Sequence, residues 1–178
     1  MSDLLLLHAS SHGHTAKIAS RIAEALRGKG VTVHVHDAAS APDVAPSGFD
    51  AVVVGGSVHG GNHQRSVADW VERHRTSLAA VPTAFFSVSL TAADDTEESR
   101  RATREYIDDF MDSTGWTPRK TVSFAGALQY REYDFMTRLI MRVLMRRGEH
   151  PTDTTRDYEY TDWVAVERFA HDCAKLLA

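Results

Sequence analysis

The sequence contains a single cysteine, Cys173, among its 178 residues. One cysteine allows neither an intrachain disulfide nor a CxxC pair, and it fits a reducing compartment. No apolar run approaches the roughly 18 residues that a membrane span needs, and the run at Leu4 to Leu7 is too short for a signal sequence. These absences predict a cytoplasmic protein without a membrane-spanning helix.

An excess of positive charge is also lacking. The formal net charge is −4 and the isoelectric point is near 6.2, so no global positive field would draw the chain onto nucleic acid. The hydrophobic fraction of 43% and the charged fraction of 25% are those of a globular protein with a substantial core. We therefore expect one domain over residues 1–178 and no nucleic-acid partner.

Short apolar runs alternate with helical patterns along the chain. Strands are predicted at residues 4–8, 31–36, 51–55, 83–88 and 121–125, and helices at about 15–29, 66–75, 96–113 and 161–177, with Gly30 placed to end the first helix. Strands followed by helices favour a doubly wound α/β fold, in which a five-stranded parallel sheet carries helices on both faces. In such sheets ligands bind at the carboxyl ends of the strands.

Residues 126–157 interrupt this alternation as an inserted segment before the last helix. The segment is too long for a plain loop in a compact domain, which suggests a functional role. Within it, residues 134–147 read DFMTRLIMRVLMRR, with Arg138, Arg142 and Arg146 four residues apart. A basic, methionine-rich amphipathic helix of this kind can lie on an anionic lipid surface. The alternative is a helix that packs on its own domain with its arginines in solvent.

The loop after the first strand reads Ser10-Ser11-His12-Gly13-His14-Thr15. A strand–loop–helix junction at this point directs backbone N–H groups and a helix N-terminus toward an anion. The loop has neither the GxxxxGK[ST] nor the GxGxxG pattern. Its hydroxyl groups suit a terminal monophosphate rather than a pyrophosphate, and the alternative is a solvated turn that binds nothing.

Several histidines surround this loop, and they raise the question of a metal. His8, His12 and His14 lie in or beside it, and His59 and His63 follow the third strand. A zinc site needs converging ligands, and no pair of histidines at metal-binding spacing lies on a predicted helix. We therefore favour histidines that neighbour a phosphate and predict no metal.

The pattern Ser10-x-His12-Gly13-x-Thr15 resembles the phosphate loop of flavodoxins, with His12 in place of the usual second hydroxyl. The resemblance implies FMN as the cofactor. The loops at residues 56–61 and 87–91 stand where flavodoxins hold the isoalloxazine ring. The cofactor-binding residues implied in this way are Ser10, Ser11, His12, Gly13, His14, Thr15, Ser57, Val58, His59, Gly60, Gly61, Ser87, Val88, Ser89, Leu90 and Thr91.

More specifically, the chain resembles the menaquinone-dependent protoporphyrinogen oxidases, a flavodoxin-like family with an inserted segment. The residues that carry this resemblance are 84–90, 125–130, 152–154 and 160–163, and the insertion discriminates it from flavodoxins. The family implies FMN-dependent oxidation of protoporphyrinogen IX to protoporphyrin IX in haem biosynthesis. It also implies electron delivery to menaquinone or ubiquinone, and a peripheral position on the inner face of the cell membrane.

The family pattern carries an Arg and a Tyr where this chain has His59 and Gly60. We expect Tyr130 or Tyr133 of the insertion to supply the missing aromatic ring. Arg131, Arg138 and Arg142 are candidates for pairing with the substrate's propionates, because guanidinium groups match carboxylates.

No side chain stands out as a general base, and His59 and His63 are the candidates. The rival functions are a flavodoxin-type electron carrier, an NAD(P)H:quinone reductase and a regulatory module that binds no flavin. The remaining features have structural explanations. Cys173 falls on the apolar stripe of the last helix, and the acidic run from Asp94 to Glu98 suits a helix start, although it could also dock a redox partner.

Overall fold

The computed structural model describes residues 2–128, Met141, Met145 and residues 157–177. The strands are β1 (Asp3–Ala9), β2 (Thr32–Asp37), β3 (Ala51–His59), β4 (Asn62–His63), β5 (Thr83–Ser89), β6 (Lys120–Ala125), β7 (Ala127–Leu128) and β8 (Tyr158–Glu159). The helices are α1 (His14–Arg27), α2 (Arg65–Leu78), α3 (Glu97–Thr114) and α4 (Trp163–Lys175), with a short 3-10 turn at Thr91–Ala93.

Five strands form a parallel sheet in the order β2-β1-β3-β5-β6. The order reverses between β1 and β3, so the loops that follow these two strands diverge and leave a crevice at their carboxyl ends. The prediction of a five-stranded parallel sheet is confirmed. β4, which the sequence pattern does not predict, pairs antiparallel with the end of β3.

The two faces of the sheet bury separate apolar clusters. Leu4 and Leu6 of β1 pack with α1 and α4, whereas Leu5 and Leu7 pack with α2 and α3. Alternate side chains of a strand point to opposite faces, and all four leucines are fully buried. A strand covered on both faces therefore reads as a continuous apolar run. Cys173 lies in the first cluster, as predicted.

β3 is longer than the predicted strand at residues 51–55, because its two glycines continue the strand rather than end it. A Cβ on Gly55 would lie 2.0 Å from Cζ of Phe86, and one on Gly56 would lie 3.1 Å from Cδ2 of His63. Glycine at these positions lets the neighbouring rings approach the backbone. The longer strand carries the chain as far as His59, at the edge of the crevice.

Two helix ends differ in detail from the prediction. The C-terminal cap of α1 is Gly28 rather than Gly30, which lies two residues beyond in a left-handed conformation with φ of 81°. At the start of α3 the hydroxyl of Thr96 accepts a hydrogen bond from the backbone N–H of Ser99, and Glu97 and Glu98 occupy the first turn. The acidic run therefore begins a helix, as the sequence analysis expected.

β7 and β8 form a two-stranded antiparallel ribbon, in which Ala127 is opposite Glu159. The inserted segment leaves the domain through β7 and returns through β8. The predicted helix at 134–147 and the candidates Tyr130, Arg131, Tyr133, Arg138 and Arg142 lie outside the described residues, where only Met141 and Met145 are placed. Across the described parts of the chain, no helix has the length and apolarity needed to cross a membrane.

Candidate functional site

A cavity of about 360 Å³ opens at the carboxyl ends of β1, β3 and β5. Fourteen of the sixteen predicted cofactor residues line it, and only Gly13 and Ser87 do not. Residues that the sequence analysis had not selected complete the wall. These are Tyr106, Gly126, Ala127, Met141 and Met145.

The loop after β1 provides the polar end of the cavity. α1 begins at His14, and its N-cap is Gly13, with φ of 83° and no side chain to cap the first turn. The N–H groups of that turn are therefore available to an anion. Ser10, Ser11 and Thr15 add hydroxyl groups to the same wall. Uncapped N–H groups beside hydroxyl groups form the donor set that a phosphate monoester needs.

Gly13 lies instead on an adjoining cavity of about 430 Å³, which shares His12, His14 and Ala127 with the first. Lys17 and Glu159 also line this second cavity and form an ion pair with each other at 2.5 Å. The phosphate loop is thus bordered on its outer side by the strand on which the insertion returns.

The β3–β4 hairpin provides the second loop of the site. His59 pairs with Asn62 across a two-residue turn, in which Gly60 and Gly61 have φ values of 59° and 86°. Two consecutive left-handed residues make a tight hairpin of the kind that favours glycine. The turn brings backbone groups to the cavity without side chains, so a flat ring can approach the main chain closely.

The third loop follows β5 and is closed by a hydroxyl network. The hydroxyl of Ser89 accepts a hydrogen bond from the backbone N–H of Ala92 at 3.3 Å. The hydroxyls of Thr91 and Tyr106 lie 3.3 Å apart, which fixes the Tyr106 ring against the cavity. Ser87, by contrast, is 1% exposed and points away from the cavity. It therefore belongs to the support of this loop rather than to its surface.

Two histidines from different loops meet at the cavity. The ring centroids of His12 and His59 are 6.1 Å apart in an edge-to-face arrangement, and the hydroxyl of Ser57 lies 3.2 Å from Nε2 of His59. Partial burial and the neighbouring His12 lower the pKa of His59. Its imidazole is consequently neutral at neutral pH and able to accept a proton.

The structure does not bring the other candidate base, His63, into this cavity. Its ring lies edge-to-face against Phe85 and Phe110, which stack on each other, with centroid distances of 5.2 and 4.9 Å. Nε2 of His63 lies 2.8 Å from the hydroxyl of Ser87. Burial lowers the pKa of His63 to about 4. His63, a candidate base on sequence grounds, therefore lies outside the lining of this cavity, because β4 turns its side chain inward.

Metal binding finds no support in the described residues. No group of three or more His, Cys, Asp and Glu side chains there converges on a point. His8 faces Asp37 at 3.8 Å instead of the phosphate loop, and burial lowers the pKa of His8.

Tyr106 and the two methionines are the functional candidates that sequence reasoning missed. Tyr106 lies three residues beyond Thr103 and four before Phe110 on α3, and these two residues are buried. That periodicity was available as a signal. Met141 and Met145 are four residues apart, so one face of a helix would present both to the cavity.

The cavity fits FMN in its distribution of chemistry. N–H and hydroxyl donors from the loop after β1 suit a phosphate, and the glycine hairpin, the loop after β5, Tyr106, Met141 and Met145 offer surfaces for a flat ring.

The flavodoxin domain family matches residues 5–155. Protoporphyrinogen IX dehydrogenase (quinone) from Leishmania major is 34% identical over 173 residues, which cover 97% of this chain and 74% of that protein. The enzyme of the same name from Escherichia coli K12 is 31% identical over 172 residues, which cover 97% and 94%.

Solved structures agree at the level of the fold. Oxidised flavodoxin 1 from Bacillus cereus has a TM-score of 0.58 at 15% identity, with 98% of each chain covered. A flavodoxin from Streptococcus pneumonia has a TM-score of 0.56 at 18% identity, with 98% of this chain and 99% of that one covered. These structures confirm the predicted fold, and the match to the flavodoxin domain family supports the predicted FMN cofactor. The chain belongs to the flavodoxin domain family, within the group named protoporphyrinogen IX dehydrogenase (quinone).

Proposed function

We propose that the protein oxidises protoporphyrinogen IX to protoporphyrin IX with FMN and passes the electrons to a quinone. The observation that carries the proposal is the composition of one cavity wall. Met141 and Met145 of the insertion line the same cavity as the three cofactor loops. A carrier that only exchanges electrons with other proteins has no need of an inserted segment over its cofactor.

The phosphate of FMN would bind the loop from Ser10 to Thr15, and the flavin ring would lie between the hairpin tip at Gly60 and Gly61 and the loop at residues 88–91. When bound, FMN supplies the two-electron acceptor chemistry that no amino-acid side chain provides. The protein's share is binding, orientation and proton handling. Backbone N–H groups of the two ring-binding loops would set the hydrogen bonding of the ring edge.

Oxidation of a porphyrinogen releases protons as well as electrons, so the cavity needs a proton acceptor. Among the described lining residues, the titratable side chains are His12, His14, His59 and Tyr106. His59 is the best placed, because its neutral imidazole stands at the cavity and Ser57 orients it. We propose His59 as the proton acceptor, with His12 passing the proton toward solvent.

The insertion would receive the two substrates. Its arginines at 131, 138 and 142 would pair with the propionates of the porphyrinogen, and Tyr130 or Tyr133 would lie against a ring. A quinone is lipid-soluble, so a basic amphipathic segment beside the cavity would hold the protein at the inner face of the membrane where menaquinone or ubiquinone is found. Residues 1–178 would act as one domain, with 126–157 as its membrane-facing insertion.

The test is an anaerobic assay of porphyrin fluorescence with protoporphyrinogen IX, the FMN-loaded protein and a menaquinone analogue. We expect fluorescence to rise only when protein and quinone are both present. No rise above the controls, from protein that holds FMN, would reject the function. Rapid bleaching of the flavin by NADPH alone would instead favour the NAD(P)H:quinone reductase.

A second experiment tests the phosphate loop separately. Replacing Thr15, which is 2% exposed and lines the cavity, with Asp would set a carboxylate beside the phosphate. FMN should then be lost, and gel filtration followed by flavin absorbance would show it. Full flavin occupancy in T15D would place the phosphate elsewhere.

A further inference from the structure

Two consecutive residues, His63 and Gln64, join the three cofactor loops to one another. Nε2 of His63 lies 2.8 Å from the hydroxyl of Ser87, at the end of the strand that leads to the third loop. Nε2 of Gln64 donates a hydrogen bond to the hydroxyl of Ser11 in the phosphate loop. The backbone N–H of Gln64 also donates to the carbonyl of Ser57 at 3.3 Å.

The hairpin between these contacts needs such support. β4 has only two residues, and a strand of that length contributes few backbone hydrogen bonds. Its turn at Gly60 and Gly61 consists of the most flexible residue type. Side-chain contacts must therefore hold the hairpin tip in position over the cavity.

His63 is suited to this task because it is enclosed on several sides. Phe85 and Phe110 contact its ring edge-to-face, and a Cβ on Gly56 would come within 3.1 Å of Cδ2. Aromatic contacts of this kind add to the hydrogen bond that Ser87 makes. Burial keeps the pKa of His63 near 4, so the imidazole remains neutral at neutral pH and no charge disturbs the aromatic packing.

Gln64 is held more sparsely. Its Oε1 atom is buried and accepts no hydrogen bond from the residues that the structure describes, so Ser11 is the described side-chain partner that orients the amide. In return, the amide fixes the hydroxyl of Ser11 at the entrance of the phosphate loop. The dipeptide thus contacts the first loop through one side chain and the third loop's strand through the other.

We propose that His63 and Gln64 are positioning residues, which hold the phosphate loop, the β3–β4 hairpin and the end of β5 in the relative positions that FMN binding requires. The inference rests on the proposed assignment of these loops to FMN. It gives His63 a role outside proton transfer, and it gives Gln64 a role that its place at the start of α2 does not explain.

The test for Gln64 is a double-mutant cycle with Ser11. Gln64→Leu preserves volume and removes the hydrogen bond, and we expect the Kd for FMN to rise about five- to tenfold. In the Ser11→Ala background the same change should have no further effect on Kd. Arg65→Leu is the control, because Arg65 is adjacent and its side chain is 92% exposed. This variant should bind FMN as the unaltered protein does.

Two variants test His63 by removing its hydrogen bond with Ser87. His63→Phe keeps an aromatic ring beside Phe85 and Phe110, and Ser87→Ala removes only the hydroxyl oxygen. Both should raise the Kd for FMN and change the visible circular dichroism of bound flavin, which reports ring orientation. If His63→Phe does not fold, Ser87→Ala carries the test alone.

The outcomes separate the inference from the proposed function. Unaltered protein that fails to bind FMN would reject the loop assignment itself. Normal FMN binding in Gln64→Leu and Ser87→Ala, with an unchanged flavin dichroism, would reject the positioning role alone. A lower Tm of the apoprotein with unchanged Kd and dichroism would likewise show a merely structural contribution and reject it.

Discussion

Nε2 of His14 lies 2.6 Å from the hydroxyl of Thr161, although 147 residues separate them in the chain. The Thr161 hydroxyl donates its hydrogen to the carbonyl of Ala125 at 2.7 Å, so His14 must donate through Nε2–H. Burial lowers the pKa of His14, and Glu159 at 3.9 Å opposes that shift only in part. The first turn of α1 is thereby tied to the chain that returns from the insertion.

Replacing Thr161 with Val should weaken both the fold and the cofactor site. The variant loses the hydrogen bonds to His14 and Ala125, which together stabilise by about 2 kcal/mol. Urea unfolding of the apoprotein would measure the loss, and an FMN titration would show weaker binding because the start of α1 is released. Thr121→Val, at an exposed position of β6, is the matched control. Equal stability of the two variants would contradict the prediction.

Stability should fall as the pH is lowered from about 6.5 to 4, in part because of His63. The unfolded chain protonates this residue near its usual pKa of 6.5, whereas the folded chain does so only near 4, so each proton taken up in this window favours unfolding. His63 alone contributes a loss of up to about 3 kcal/mol. Other histidines with lowered pKa values, His8, His14 and His59, act in the same direction.

Urea unfolding at pH 7.5 and pH 5 tests this attribution. The difference between the two pH values should shrink by about 2 kcal/mol in His63→Phe, because the titrating group is gone. His171→Phe, at an exposed position of α4, should keep the pH dependence of the unaltered protein. The same pH dependence in both variants would show that other groups cause it.

Gly55→Ala should be strongly destabilising, since its methyl group would lie 2.0 Å from Cζ of the buried Phe86. Overpacking of this kind costs about 3 kcal/mol. Gly28→Ala is the control, because Gly28 has φ of −60° and a Cβ there meets nothing closer than 3.5 Å. Thermal unfolding should show a lower Tm for G55A and an unchanged or higher Tm for G28A. Similar values for the two would refute the close approach.

Much of the fold was predictable because the sheet is buried on both faces. Leu4 to Leu7 and Ala51 to Val54 are apolar at every position, which is the expected pattern of a central parallel strand. The end of β3 was not predictable. Gly56 was expected to begin a loop, and the approach of the His63 ring to its backbone is not evident from the sequence. β4, β7 and β8 have two residues each, too few to produce a periodic pattern.

The lining of the cavity was predictable where loops follow strands. The loops after β1, β3 and β5 must meet at one edge of a parallel sheet, and the flavodoxin resemblance indicated which of their residues to select. The sequence did not predict that His63 turns inward or that Tyr106 lies at the cavity. The first depends on a two-residue strand and the second on the rotation of α3. The insertion contacts at Tyr130, Arg131, Tyr133, Arg138 and Arg142 stay predictions.

Tyr106 should matter for binding in the cavity, because it is the aromatic residue that α3 contributes to the wall. Tyr106→Ala removes the ring. We expect about a tenfold rise in the Kd for FMN or in the KM for porphyrinogen. Tyr106→Phe keeps the ring and loses only the contact with Thr91, so it should behave almost as the unaltered protein. Unchanged Kd and KM in Tyr106→Ala would show that the ring contacts neither ligand.

Electrons should pass from a porphyrinogen to a quinone through one flavin site. Anaerobic stopped-flow mixing of the FMN-loaded protein with protoporphyrinogen IX, followed by a menaquinone analogue, tests it most directly. Flavin absorbance should bleach in the first mix and return in the second. Porphyrin fluorescence should rise once excess quinone has allowed the three two-electron cycles that oxidation of protoporphyrinogen IX to protoporphyrin IX requires. Flavin that remains oxidised with protoporphyrinogen IX, yet bleaches with dithionite, would contradict it.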